Sequence, residues 1–313
     1  MPHQTTGSGT GDEQRVVMAV PPTSSLTAPR HLPKKSLGQH FLKDRSVPPR
    51  IADAANLLPG DFVVEVGPGL GVLTEEIARR LDPSSGRLIA VELDGNLLPV
   101  LEQRFAGQEH VSFLHGDVLE MDPATLAGDR PYKVVANLPY YITSAILRHF
   151  LEASGKPRSL TVMVQREVAE RMVATPPDMS LLAVSVQFYG KPKIMFRVPP
   201  GAFNPPPKVD SAVVHIEVYP SGENPLEGTS EFAFFRVAHA GFSQKRKQLG
   251  NTLATGLDLP KDYVAARLAE TGVAPSRRAE TLTLSDWARI CQALEHRPQA
   301  STPGQVEDKP PPC

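Results

Sequence analysis

Residues 62–81 read FVVEVGPGLGVLTEEIARRL. A short apolar run, FVVEV, meets three glycines spaced two apart and then an amphipathic stretch, LTEEIARRL. A strand that turns on glycines into a helix is the opening unit of a parallel α/β sheet. Gly67, Gly69 and Gly71 remove Cβ atoms where a ligand would approach the backbone, and such sheets bind ligands at the carboxyl ends of their strands. Taken alone, a glycine triplet fits a plain tight turn equally well.

Working outward, the alternation repeats. RLIAVEL (87–93) precedes NLLPVLEQRF, VSFLHG (111–116) stands as a third strand, YKVVANL (132–138) precedes SAILRHFLE, and SLTVMVQ (159–165) precedes REVAERMV. The pattern predicts an α/β fold, a parallel sheet with helices on both faces. From about residue 181 it changes: LLAVSVQFYG, PKIMFRV and, after a proline cluster at 199–207, VDSAVVHIEVY are expected to be strands joined by hairpins or loops. Past Tyr219, EFAFFRVAHAGF, RKQLGNTLATGL, KDYVAARLAETG and SDWARICQALEH read as helices separated by Gly and Pro. The expected organisation is therefore an α/β domain over 34–220 and a small all-helical domain over 221–297, with the boundary at Pro220–Pro225. The ends, 1–33 and 298–313, are rich in Pro, Gly, Ser and Thr and are expected to be disordered tails.

The 313 residues are 41% hydrophobic and 21% charged, which suits a soluble chain with a sizeable core. A formal net charge of −1 excludes a uniformly basic protein, so any nucleic-acid surface has to be a local patch. Cys291 and Cys313 have neither CxxC nor His-rich spacing, so no disulfide framework and no metal site is expected. No apolar run has the length of a membrane span, and the first 30 residues lack the layout of a signal peptide. Cytoplasmic residence and no membrane partner are the expectations.

Beyond the glycine turn, Glu92 ends the second strand, where a carboxylate accepts hydrogen bonds from ribose hydroxyls. A nicotinamide dehydrogenase requires G-x-G-x-x-G, but Val72 holds the third place and the spacing is G-x-G-x-G. That spacing resembles the first motif of the class I S-adenosylmethionine-dependent methyltransferases. In that reading Asp117, in HGDVL, accepts from the adenine amino group of the cofactor; the plain alternative is a solvated aspartate at a strand end.

The fourth strand breaks off in Asn137-Leu138-Pro139-Tyr140. An exocyclic adenine amine is a poor nucleophile because its lone pair is delocalised into the ring. Acceptors aimed at its N–H groups favour a more tetrahedral nitrogen. The Asn137 side-chain oxygen and the Leu138 carbonyl supply such acceptors, Pro139 fixes the turn and brings no N–H, and Tyr140 offers a stacking face. Closing the strand by an Asx turn over an aromatic core residue is the alternative. The tetrapeptide resembles the N/D-P-P-Y/F signature of amino-directed nucleic-acid methyltransferases, with Leu138 in the form of the rRNA adenine branch.

Four further stretches carry a closer resemblance: KKSLGQHFL (34–42), VQREVAERM (164–172), FNPPPKVDSAVV (203–214) and GFSQKRKQLGNTL (241–253). With EVGPGLGVLT and NLPYYI, and in family order from Lys34 to about Ala293, they resemble the rRNA adenine N6,N6-dimethyltransferases, specifically the small-subunit (16S) kasugamycin-sensitivity methylases. The resemblance implies a Rossmann-like class I methyltransferase sheet. It also implies transfer of four methyls from S-adenosyl-L-methionine to two adjacent adenosines in the hairpin loop near the 3′ end of 16S rRNA, within an immature 30S particle, by a monomer. Carried over motif by motif, the cofactor site comprises His40, Leu42, Gly67, Gly69, Glu92, Asp117 and Asn137. The catalytic set is Asn137, Leu138, Pro139, Tyr140 and Phe203, with Tyr140 and Phe203 sandwiching the extruded adenine; a core ring beside the prolines is the alternative for Phe203. His40 stands where many members have Asn, and Tyr141 likewise replaces a common Asn. Rival readings are the large-subunit methylase of macrolide resistance and a non-catalytic nucleic-acid-binding relative. FNPPPKVDSAVV and the long C-terminal segment weigh against the first, the intact motifs against the second.

Between Glu231 and Asp258 there is no acidic residue, whereas Arg236, Lys245, Arg246 and Lys247 all occur. Lys34 and Lys35, with Lys43, Arg45 and Arg50, face only Asp44. Such runs are ordinarily solvated faces; beside an RNA-modifying motif set, Lys34, Lys35, Arg236, Lys245, Arg246 and Lys247 become the candidate phosphate contacts. Arg277 and Arg278 are a third, weaker cluster.

Overall fold

The computed structural model describes residues 40–128, 130–220, 226 and 228–295. Lys34, Lys35, both expected tails and most of the Pro220–Pro225 boundary lie outside them. In chain order the elements begin with β1 (Phe41–Leu42), α1 (Val47–Ala54), β2 (Phe62–Val66), α2 (Val72–Arg80), β3 (Arg87–Glu92), α3 (Leu98–Arg104) and β4 (Val111–His115). There follow α4 (Pro123–Ala127), β5 (Tyr132–Asn137), α5 (Thr143–Leu151), β6 (Ser159–Gln165), α6 (Arg166–Met172), α7 (Leu181–Tyr189) and β7 (Gly190–Val198). The chain continues through β8 (Phe203–Asn204), β9 (Ser211–Val218) and four helices, α8 (Glu231–Phe242), α9 (Leu249–Leu257), α10 (Lys261–Glu270) and α11 (Leu284–Glu295).

Seven strands form one sheet in the order β4-β3-β2-β5-β6-β9-β7. The first five run parallel, and β9 pairs antiparallel with both β6 and β7. Successive residues of each strand face opposite sides, and the cores divide accordingly. Val63, Val135, Met163 and Val213 join the core under α1, α2 and α3. Their neighbours Val64, Val134, Val162 and Val214 join the core under α5, α6 and α7. Strand order reverses between β2 and β5, and at their carboxyl ends this opens the crevice in which doubly wound sheets hold ligands.

One expected strand is a helix. LLAVSVQFY, residues 181–189, forms α7, started by Ser180, whose Oγ accepts from the Ala183 N–H at 3.1 Å. The run is rich in β-branched and aromatic residues, and a short apolar run does not by periodicity tell a buried strand from a buried helix. Here tertiary burial decides: Ala183, Val184, Val186, Phe188 and Tyr189 are all buried. Phe188 meets Phe234 of α8 at 4.5 Å between ring centroids, so α7 lies between other layers and shows no polar face. It turns directly into β7 at Gly190, where a Cβ would stand 2.4 Å from the Glu217 carbonyl oxygen. The C-terminal helices share the core on this side through Phe234, Val237, Leu253, Leu268 and Trp287.

Candidate active site

The turn after β2 holds Gly67, Gly69 and Gly71 at φ of +68°, +58° and +78°, left-handed conformations that side-chain-bearing residues rarely adopt. A Cβ at Gly71 would stand 2.9 Å from the Phe105 ring, whereas one at Gly67 would enter open space at the pocket wall. The turn feeds α2, while Gly69 N–H donates to Glu92 Oε2 at 3.0 Å and Asp94 N–H to Glu92 Oε1 at 2.8 Å. Glu92 thereby locks the ends of two adjacent strands together. Burial pushes its carboxyl above the usual range, and the N–H groups of Asp94 and Gly69 oppose the shift.

One pocket gathers most of the candidates. His40, Leu42, Gly67, Gly69, Glu92, Asp117, Asn137, Leu138, Pro139 and Tyr140 all line it. Asp117 uses Oδ1 to accept from the Leu119 N–H at 2.9 Å, which leaves Oδ2 for an amino group. Asn137 Nδ2 donates to the His40 carbonyl at 3.4 Å, so the side-chain oxygen remains an acceptor. The Leu138 side chain is core, and its N–H donates to Met163 O at 3.1 Å, pinning the peptide at the end of β5. Tyr140 is held from two sides: its hydroxyl bonds Ser211 Oγ at 2.7 Å, and its ring stacks on His40 at 5.8 Å and 25°. Burial raises the Tyr140 phenol above its ordinary value despite Ser211, so it is neutral at physiological pH.

Phe203 is not brought to the pocket. Its ring is 1% exposed and belongs to the core under α1 and α2, on a two-residue ribbon in which Leu42 pairs with Phe203 and Phe41 with Asn204. So enclosed, the ring turns no face to the pocket, and the sandwich expected from sequence is not formed in this conformation. What it does instead is anchor the ribbon that carries His40 and Phe41 over the glycine turn, where His40 Nδ1 lies 2.8 Å from the Pro205 carbonyl oxygen.

Two members of the site escaped the sequence reading. Ser211, wholly buried at the start of β9, orients Tyr140; it sat inside a quoted motif with no role attached. Glu65, 1% exposed near the carboxyl end of β2, lines the pocket, and burial pushes its carboxyl up to about 8. The Thr74 hydroxyl opposes that shift, and Glu92 reinforces it. The available signal was a glutamate within an otherwise apolar central strand.

Arg236, Lys245, Arg246 and Lys247 are all exposed, the last three in the loop between α8 and α9. Among the described residues none of the four forms an ion pair. Leu249 N–H donates to Arg277 O at 2.7 Å and Gly250 N–H to Pro275 O at 3.0 Å, which sets the Arg277–Arg278 segment beside that loop.

Comparison with known proteins gives a consistent picture. The family model for ribosomal RNA adenine dimethylase matches residues 30–296. A ribosomal RNA small subunit methyltransferase A from Dehalococcoides mccartyi (strain ATCC BAA-2266 / KCTC 15142 / 195) is 49% identical over 266 residues, 85% of this chain and 89% of that protein. The protein of the same name from Pelotomaculum thermopropionicum is 41% identical over 89% of this chain and 98% of its own length. Among solved structures, the 23S rRNA methyltransferase ErmE aligns with TM-score 0.64 and 28% identity, covering 82% of this chain and 99% of that one. A Plasmodium falciparum dimethyladenosine transferase aligns with TM-score 0.68 at 24% identity over 80% of this chain and 96% of its own, a likeness of fold.

Proposed function

This chain belongs to the ribosomal RNA adenine dimethylase family, and we propose that its targets are two adjacent adenosines in the 3′-terminal hairpin loop of small-subunit rRNA, met within an immature subunit. It is an S-adenosylmethionine-dependent adenine N6,N6-dimethyltransferase acting on 16S rRNA. A monomer working in the cytoplasm, with residues 221–297 as the rRNA-binding part of the chain, completes the proposal.

The pocket fits the cofactor. Among the described residues its lining includes two acidic side chains, Glu92 and Asp117, the buried, protonated Glu65, and no lysine or arginine. Such a wall suits a cationic nucleoside without phosphates and disfavours a dinucleotide, whose pyrophosphate calls for donors. In this reading Glu92 accepts from the ribose hydroxyls, Asp117 Oδ2 from the adenine amine, and Gly67 lets the cofactor approach the backbone closely. S-adenosylmethionine supplies a methyl group on a sulfonium, an electrophile whose positive charge disappears as it is transferred.

The chain's own residues prepare the nucleophile. Asn137 Oδ1 and the Leu138 carbonyl accept from the target N6–H groups and draw the nitrogen toward tetrahedral geometry, while Tyr140 holds the base. No general base is needed to begin transfer, because the charge leaving sulfur offsets that arising on nitrogen, and the methylated nitrogen then sheds its extra proton to water. A loop adenosine costs less to extrude than a paired one, which suits the hairpin.

The observation that carries this reading is the commitment of Asn137 Nδ2 to the His40 carbonyl, which leaves Oδ1 as the acceptor in the pocket shared with the glycine turn. Asn137→Ala is expected to slow single-turnover methylation by about 10²- to 10³-fold, the loss typical of one preorganised polar contact. A near-normal rate in that variant removes the amide from the mechanism.

A further inference from the structure

Tyr141 stands apart from the side chains that the mechanism uses. It lines the same pocket, yet it is 60% exposed, and its ring and hydroxyl have no partner among the described residues. Leu93, at the end of β3, is the other large exposed apolar side chain on this lining, at 43%. The mouth of the pocket therefore has an apolar rim.

The backbone explains why two consecutive tyrosines behave so differently. Tyr140–Ile142 is a 3₁₀ turn, in which neighbours are spaced about 120° apart and cannot share a face. Tyr140 is turned in, its hydroxyl fixed on buried Ser211; Tyr141 is turned out to the rim. The outcome is two aromatic surfaces one residue apart, one inside the pocket and one at its entrance.

Extruding one adenine strips its neighbour of a stacking partner. An exposed ring at the entrance replaces that partner, and stacking on an aromatic side chain tolerates any base because each has a π-face. We propose that Tyr141 is a substrate-positioning residue that stacks the nucleotide adjacent to the extruded adenosine and so holds the two adjacent targets in register. The inference rests on the proposed substrate and adds to it a second base contact.

The test uses full-length protein with small subunits, measuring the KM for the subunit, kcat and the affinity for S-adenosylmethionine. Tyr141→Ala is expected to raise the KM for the subunit about 5- to 100-fold with kcat nearly unchanged, and Tyr141→Phe to restore it. Affinity for S-adenosylmethionine is expected to stay at the wild-type value in both. Subunits carrying an abasic site beside the target supply the decisive comparison: wild type loses about the same factor on them, and Tyr141→Ala loses nothing further. A wild-type KM in Tyr141→Ala, an equal abasic penalty in both proteins, or a fall in cofactor affinity overturns the assignment. Wild-type protein that methylates no small-subunit rRNA sinks the proposed substrate together with it, whereas active wild type and an indistinguishable variant sink the role of Tyr141 alone.

Discussion

Burial of Glu65 near the carboxyl end of β2 makes folding depend on pH in a direction opposite to that of an ordinary salt-bridged carboxylate. Its carboxyl sits near 4.5 when unfolded and about 8 when folded. Below about pH 4.5 both states hold the proton and ionisation adds no penalty to burial. Between these values the unfolded chain ionises while the folded one keeps its proton, so this contribution is lost as pH rises; above about 8 the profile flattens. Glu65→Gln removes the dependence and is expected to be more stable than wild type at pH 8, by on the order of several kcal/mol, with little difference at pH 5. Denaturant unfolding across that window measures it, and parallel profiles for the two proteins contradict the buried neutral acid. At this scale the sequence was most informative where residue type and chemistry coincide. Asn137, Glu92 and Asp117 carry acceptors at strand ends, and all three line one pocket. Ser211 was silent because its importance comes from burial and a long-range contact, which no residue type announces, whereas Glu65 showed only as an acid within an apolar strand.

Among the elements, the parallel strands and most of the helices between them were legible because short β-branched runs alternate with amphipathic stretches of helical period. α7 was not, since a nine-residue helix with no exposed residue has no polar stripe to reveal its period. The β1–β8 ribbon was equally hidden: two residues pair across some 160 positions, too short a match for any pattern to expose. That ribbon explains the fate of Phe203, whose motif suggested a base contact and whose partner strand places it in the core. Phe203→Ala is expected to cost about 3 to 5 kcal/mol of stability, as for other buried phenylalanines. Equilibrium unfolding tests this. A loss below about 1 kcal/mol accompanied by impaired methylation points to a ring working on substrate instead.

For the molecule as a whole, a net charge of −1 means that attraction to rRNA has to come from local clusters. The exposed Arg236, Lys245, Arg246 and Lys247 form no ion pairs among the described residues, so their charge is available to phosphates. Replacing all four by glutamine is expected to flatten the slope of log affinity against log salt by about 3; an unchanged slope locates the phosphate contacts elsewhere. The central claim, that a glycine turn and an Asn-Leu-Pro-Tyr turn across one pocket serve N6 dimethylation of small-subunit rRNA, has its most direct test in position. Immature small subunits are incubated with the protein and methyl-labelled S-adenosylmethionine, and the modified nucleotides are mapped. The account predicts four methyl groups, all on two adjacent adenosines of the 3′-terminal hairpin loop. Label at other bases, on large-subunit rRNA, or nowhere contradicts it.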